Sequence, residues 1–214
     1  YNLLKENSIF IFEQPNFTVG VLSLKFDQIY HEHVSYFTAR NIKSILDYSN
    51  LKILSLSKNK YNGGSLRIVA YKKNSSLKEF KIDKFINYEN KKNIYKLEFY
   101  KKMIKKINFK KKKLLTKLNN LSAKGYILSG IGAGAKSNTF LTFYGLNNKI
   151  IKFLTDSSKF KKNKYTPVSR IIIKDDKELI NHKKIACIIL SWNISILIID
   201  KIKKLNKNIK IIYT

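Results

Sequence analysis

The sequence predicts an α/β chain with a parallel sheet in its C-terminal half. Three observations carry that expectation. After Gly125, short β-branched runs alternate with helical stretches, the pattern of strands joined by right-handed crossovers. A glycine-rich turn, Gly130-Ile-Gly132-Ala-Gly134-Ala-Lys136, joins the first of those runs to a helix. A content of 44% hydrophobic residues in 214 is also enough for a packed core.

The elements follow in order. Residues 8–13 are apolar, β-branched and aromatic, and stop at Gln14-Pro15, as a buried strand does. Residues 16–36 keep no steady period and read as a functional loop. Thr38 is placed to cap a helix that carries Ile42, Ile45 and Leu46 on one face. Residues 51–57 and 65–71 alternate around Asn62-Gly63-Gly64, a strand pair with a glycine turn. Residues 72–90 read as a polar connection. From 95 to 121, Leu97, Tyr100, Ile104, Ile107, Leu114, Leu115 and Leu118 recur at near-helical spacing, predicting a long amphipathic helix broken near Phe109. Further strands are expected at 126–129, 150–154, 170–173, 185–190 and 209–213. Helices are expected from the glycine turn to Tyr144 and over 195–205.

Charge excludes less than it suggests. Lys+Arg number 43 against 14 Asp+Glu, for a formal charge of +29, yet only Arg40, Arg67 and Arg170 are arginine. Lysine, asparagine and isoleucine all have AT-rich codons, so coding composition accounts for most of this excess. A basic nucleic-acid-binding protein is therefore only a second alternative, since geometric readers of nucleic acid favour arginine. The single Cys187 excludes an internal disulfide and a cysteine-cluster zinc site. Residues 185–199 are too short and too interrupted to span a bilayer. No signal peptide opens the chain, so a cytoplasmic protein is expected. Tyr1-Asn-Leu-Leu-Lys reads as a helix already under way, which makes a truncated front the expectation.

Two constellations can carry chemistry. Gly130-x-Gly132-x-x-Ala135 is a variant of the dinucleotide fingerprint between a strand and a helix. Glycines let a backbone approach a phosphate, and the helix amino end favours an anion. Lys136, Ser137, Asn138 and Thr139 would add a charge and donors, and Asp156 stands where a ribose-binding acid can sit. An NAD(P)- or nucleotide-binding module of an oxidoreductase is the first alternative on this ground. The second constellation is Tyr30-His31-Glu32-His33, which holds two of the three histidines. Histidine titrates near neutrality and a neighbouring carboxylate can orient it, which suits proton transfer. No cysteine lies nearby and His182 is the remaining histidine, so no metal site is expected.

At these residues the chain resembles the S-adenosylmethionine-dependent sugar C-methyltransferases. The resemblance runs through Phe26-Asp-Gln-Ile-Tyr-His-Glu-His-Val-Ser-Tyr-Phe37, then Gly63-Gly64-Ser65-Leu66-Arg67 and Gly132-Ala-Gly-Ala-Lys-Ser-Asn138-Thr139. It continues at Lys164-Tyr165-Thr-Pro167 and Leu190-Ser-Trp192-Asn193, and so covers nearly the whole chain. It implies a Rossmann-like C-terminal sheet preceded by a mixed α/β connecting region and the tail of a class I methyltransferase domain. On that reading residues 1–24 are the remnant of the donor-binding domain, and 25–214 are the C-terminal region. Within the latter, 25–121 hold the active-site loop, strand pair and long helix, and 122–214 the Rossmann-like subdomain.

The resemblance also implies roles. The substrate would be a nucleotide-linked keto-deoxysugar, whose enolate takes a methyl group from S-adenosylmethionine. His33 would be the base, with Glu32 positioning it or acting in its place, and Tyr30 would hydrogen-bond the sugar or its oxyanion. His31 would turn away and pack. Gly132, Lys136, Asn138 and Arg67 would contact substrate; Arg67 would otherwise pair with a surface acid. Glu13 would lie beside the methyl donor, whose own binding loop and the family's zinc region fall outside this chain, leaving it inactive alone. Trp192 would pack in the core. Val168 departs from the family, which usually carries glycine after the proline equivalent to Pro167.

Overall fold

The computed structural model describes residues 1–213. The chain forms two compact units, one of residues 1–26 and 33–106, the other of 27–32 and the chain from 107 onward.

The first unit is built on an antiparallel sheet in the order β1-β3-β2. β1 (Ile9–Pro15) and β2 (Leu51–Asn59) flank β3 (Ser65–Lys72), with Glu13 opposite Arg67. β3 is the buried centre, where Leu66, Ile68, Ala70 and Tyr71 are shut from solvent. α2 (Ala39–Tyr48) lays Ile42 and Leu46 into the same core as Leu51, Ile53 and Leu56. Each such side chain contributes roughly 1.5–3 kcal/mol by leaving water. Ile45, expected in that stripe, is half exposed.

Several expectations are corrected in this unit. β1 is an edge strand rather than a buried one, and Ile9, Phe10 and Ile11 are about half exposed. An apolar run cannot say whether it has one neighbour or two. Residues 16–36 contain α1 (Phe17–Leu22), where the Asn16 side chain accepts the Val19 N–H. The polar connection contains α3 (Asp83–Lys91), which buries Glu89 and packs Phe85 and Ile86 against the core that Ile82 enters. Residues 1–8 form turns and extended chain rather than the end of a helix. β1 shares one sheet with the strand pair.

The second unit carries the expected parallel sheet, in the order β6-β5-β4-β7-β8. Its strands are β4 (Ile127–Ile131), β5 (Phe153–Thr155), β6 (Ile173–Lys174), β7 (Ile185–Ile189) and β8 (Lys210–Ile212), and every pair is parallel. Ile131, Phe153, Leu179, Ile185, Cys187, Ile189, Ile202 and Ile209 form its core. α4 (Leu97–Ala123) is unbroken, contrary to expectation; Phe109 is left in solvent instead of being met by a kink. The division between the units passes through α4, after Lys106. α5 (Ala135–Tyr144) follows β4, and α6 (Ser195–Leu205) follows β7. Chain order reverses between β4 and β7, and the carboxyl ends of such strands are where open α/β sheets take ligands.

Candidate active site

The boundary between the units falls inside the Tyr30-His31-Glu32-His33 run, after Glu32. Its two halves are therefore anchored by different groups.

His33 belongs to the first unit and is half-buried. Its ring meets Tyr36 edge-on at 6.4 Å between centroids, and Tyr36 in turn packs on Phe17 at 5.1 Å. The Phe37 carbonyl accepts the Phe17 N–H at 3.0 Å. Thr38 then caps α2 as expected, its hydroxyl oxygen accepting the Asn41 N–H at 3.2 Å.

Behind this cap lies a carboxylate that the sequence did not reveal. Glu89 is 3% exposed. Its Oε1 accepts the Thr18 hydroxyl and the Ala39 N–H, both at 2.8 Å, and its Oε2 accepts the Arg40 N–H at 3.3 Å and the Tyr95 hydroxyl. A negative charge at a helix amino end is favourable, and four donors offset the cost of burying it. Burial, then the hydrogen bond to Glu89, push the Tyr95 phenol up to about 12. The Arg40 guanidinium stacks over the Tyr95 ring at 3.7 Å.

Tyr30 and Glu32 belong to the second unit. Tyr30 is half-buried and Glu32 exposed. His31, expected to pack, is exposed; it stands edge-on to Tyr30 at 6.1 Å, with its Nε2 3.9 Å from Glu32 Oε1. The segment is tied down through Asp27, which is buried and accepts the Trp192 indole N–H at 2.6 Å. Trp192 is thus a half-buried hydrogen-bond donor rather than core filling. Lys136 sits over its ring, with Nζ 5.3 Å from the centroid. Burial lowers the Lys136 ammonium below its ordinary range, and the Asp27 carboxylate opposes that shift.

The glycine loop owes its composition to packing. A side chain at Gly130 would meet Leu154 and Leu190 at 2.7 and 2.9 Å. At Gly132, where φ is +94°, a Cβ would stand 2.0 Å from Ser191 Oγ. Asp156, expected as a ribose-binding acid, accepts the Ala133 N–H at 2.8 Å and the Ser158 N–H at 2.9 Å, with Lys161 at 3.2 Å. The Gly134 N–H turns to Ser137 Oγ. The acid and the loop amides that a dinucleotide would engage are thus occupied internally. What stays open is the space beside Gly134, at the amino end of α5, next to Lys136. Asn138 is half-buried on the same first turn.

Arg67 is exposed and its Nε donates to Glu13 at 3.0 Å, the surface-acid outcome of the two expected. Glu13 is thereby committed to Arg67, and the glycine loop closes on itself. These residues do not build a cradle for S-adenosylmethionine on their own. Among the described residues, no group of three or more His, Cys, Asp or Glu side chains is placed to share a metal ion. No helix among them is long and apolar enough to cross a membrane.

Asp27, Glu89 and Tyr95 are the residues that sequence reasoning passed over. Asp27 stands inside the most specific motif and was open to notice; nothing in the pattern around Glu89 and Tyr95 marks them.

Comparison with known proteins bears on the family of the chain. Residues 60–213 match the family described as the C-methyltransferase C-terminal domain. The chain is 24% identical over 207 residues to C-methyltransferase NovU of Streptomyces niveus, an alignment covering 96% of this chain and 49% of that protein. The chain therefore spans about half the length of the curated relative it matches.

Proposed function

Because the chain belongs to the C-methyltransferase C-terminal domain family, we propose that it handles the substrate in carbon methylation of a nucleotide-linked keto-deoxysugar. The observation that carries this reading is the placement of His33. It is a half-buried imidazole braced by Tyr36, in a segment fixed at Phe37 and Thr38.

A sugar carbon cannot take a methyl group until it is nucleophilic. The His33 imidazole removes the proton from the carbon beside the keto group. The C–H electron pair becomes the enolate double bond and negative charge moves to the carbonyl oxygen. The Tyr30 hydroxyl donates to that oxygen, and Glu32 orients the base or replaces it. Lys136, with Gly132, Asn138 and the amino end of α5, faces the nucleotide's phosphates, for which a desolvated ammonium and a helix dipole are suited. Arg67 is a secondary phosphate contact once released from Glu13. S-adenosylmethionine, which the residues above do not hold on their own, would supply the methyl group to the enolate carbon and leave as the neutral thioether.

The test separates proton removal from methyl transfer. The intact protein is incubated in deuterium oxide with a thymidine-diphosphate keto-deoxysugar and no methyl donor, and exchange at the carbon beside the carbonyl is followed by NMR. His33→Ala should slow both exchange and subsequent methylation by roughly 10²–10⁴-fold. Unchanged exchange in that variant removes His33 from the mechanism.

A further inference from the structure

Trp192 is the one tryptophan in the chain. It begins a 3₁₀ turn just after β7, at the carboxyl edge of the parallel sheet. Its indole N–H is bonded to a carboxylate 165 residues earlier, on Asp27. Asp27 is 3% exposed, so its charge is removed from water and has to be matched inside the protein. The groups around it do so. Trp192 donates to it, the Lys136 ammonium over the Trp192 ring attracts it, and the Tyr144 phenol also lies within its field. Carboxylate, indole and ammonium together form a neutral set within one unit.

The location of this set gives it a consequence. Tyr30 and Glu32 follow Asp27 by three and five residues, in a segment of turns and bends without a helix or strand of its own. A segment of that kind holds its side chains only as well as its tethers do. Lys136, the third member, lies at the amino end of α5.

We propose that Asp27 is a positioning residue: its hydrogen bond to Trp192, beside Lys136, holds the segment carrying Tyr30 and Glu32 in register with the amino end of α5. This rests on the reading of Tyr30 and Lys136 as substrate contacts given above. Asp27 touches neither sugar nor methyl donor. It acts through the geometry of the residues that follow it.

The experiment uses the intact protein with Asp27→Ala, Asp27→Asn, Trp192→Phe and the Asp27→Ala/Trp192→Phe pair. Misplacing a catalytic group by an ångström costs on the order of 10²-fold. Asp27→Ala and Trp192→Phe should each lower kcat by roughly 10- to 100-fold, with KM for the methyl donor unchanged. The pair should be no worse than the poorer single variant. Asp27→Asn, which keeps an oxygen for the indole N–H, should recover most of the rate. The emission contributed by Trp192, taken as the difference from Trp192→Phe, should shift in Asp27→Ala and return in Asp27→Asn.

Additive losses, or an emission indifferent to residue 27, overturn the proposal, and so does a KM-only effect. Emission and non-additivity in thermal unfolding report the tether without any turnover. Failure of the methyltransferase reading, seen as His33→Ala retaining exchange, is therefore distinguishable from failure of this one.

Discussion

The Glu89 carboxylate and the Ala39 amide lie 50 residues apart in sequence, meet at 2.8 Å and close the amino end of α2. That contact anchors the helix that begins where the His33 segment ends. It predicts a large stability effect at a residue that the sequence presents as one more surface acid. Glu89→Ala leaves the Ala39 and Thr18 donors buried without this acceptor, while the Tyr95 hydroxyl keeps Thr38 Oγ1 at 3.2 Å, and should cost about 3 kcal/mol, read as a fall in the urea midpoint. Glu89→Gln keeps one acceptor and should cost about half as much. A loss below about 0.5 kcal/mol for the alanine variant would show that the carboxylate is not the anchor.

Tyr95 ties the same cluster to alkaline pH. Its phenol is raised from an ordinary value near 10 to about 12, first by burial and then by Glu89. A group whose folded pKa is raised stabilises the fold fully below its unfolded pKa and loses that contribution as pH climbs through the folded value. Stability should therefore fall between about pH 10 and 12. Lysines titrate in the same window, so the reading is a difference. Tyr95→Phe should flatten the decline relative to the parent in urea unfolding at pH 9 to 12. Parallel curves for the two proteins would show that Tyr95 does not contribute.

Val168 sits in the left-handed region, with φ of +59°, a conformation that suits glycine and strains a β-branched residue. The turn around it is held regardless. The Thr166 N–H reaches the Ile171 carbonyl at 2.9 Å, and the Ile171 N–H reaches Thr166 Oγ1 at 2.9 Å. Val168 is itself mostly exposed, so little packing is lost on its removal. Relief of strain should outweigh the extra freedom glycine gives the unfolded chain. Val168→Gly is expected to stabilise by about 1 kcal/mol, a rise of roughly 2–4 °C in Tm by calorimetry. A fall in Tm would mean that the turn stores no strain.

Legibility followed the reach of each signal. Period-3.6 and β-branched runs located α2, α4, α5, α6 and the strands of both sheets, because burial of one face imprints itself along the chain. α3 was missed because Ile82, Phe85 and Ile86 are a short apolar set inside a charged and polar stretch, and α1 because six residues are fewer than two helical turns. The Tyr30-His31-Glu32-His33 cluster was visible as a dense group of titratable side chains. Its supports were not, since Asp27 meets Trp192 and Glu89 meets Ala39 only after the chain has folded.

The amino-acid order alone determined that this chain is α/β and that its C-terminal half is a parallel sheet with a glycine turn. Tertiary structure alone decided that β1 is an edge strand, that Asp156 closes the glycine loop, and that the carboxylates of Asp27 and Glu89 are each buried among donors. The physical reason is the range of the forces. Hydrophobic periodicity is written between near neighbours in sequence, whereas a buried charge is made tolerable by donors that only folding brings within hydrogen-bond distance.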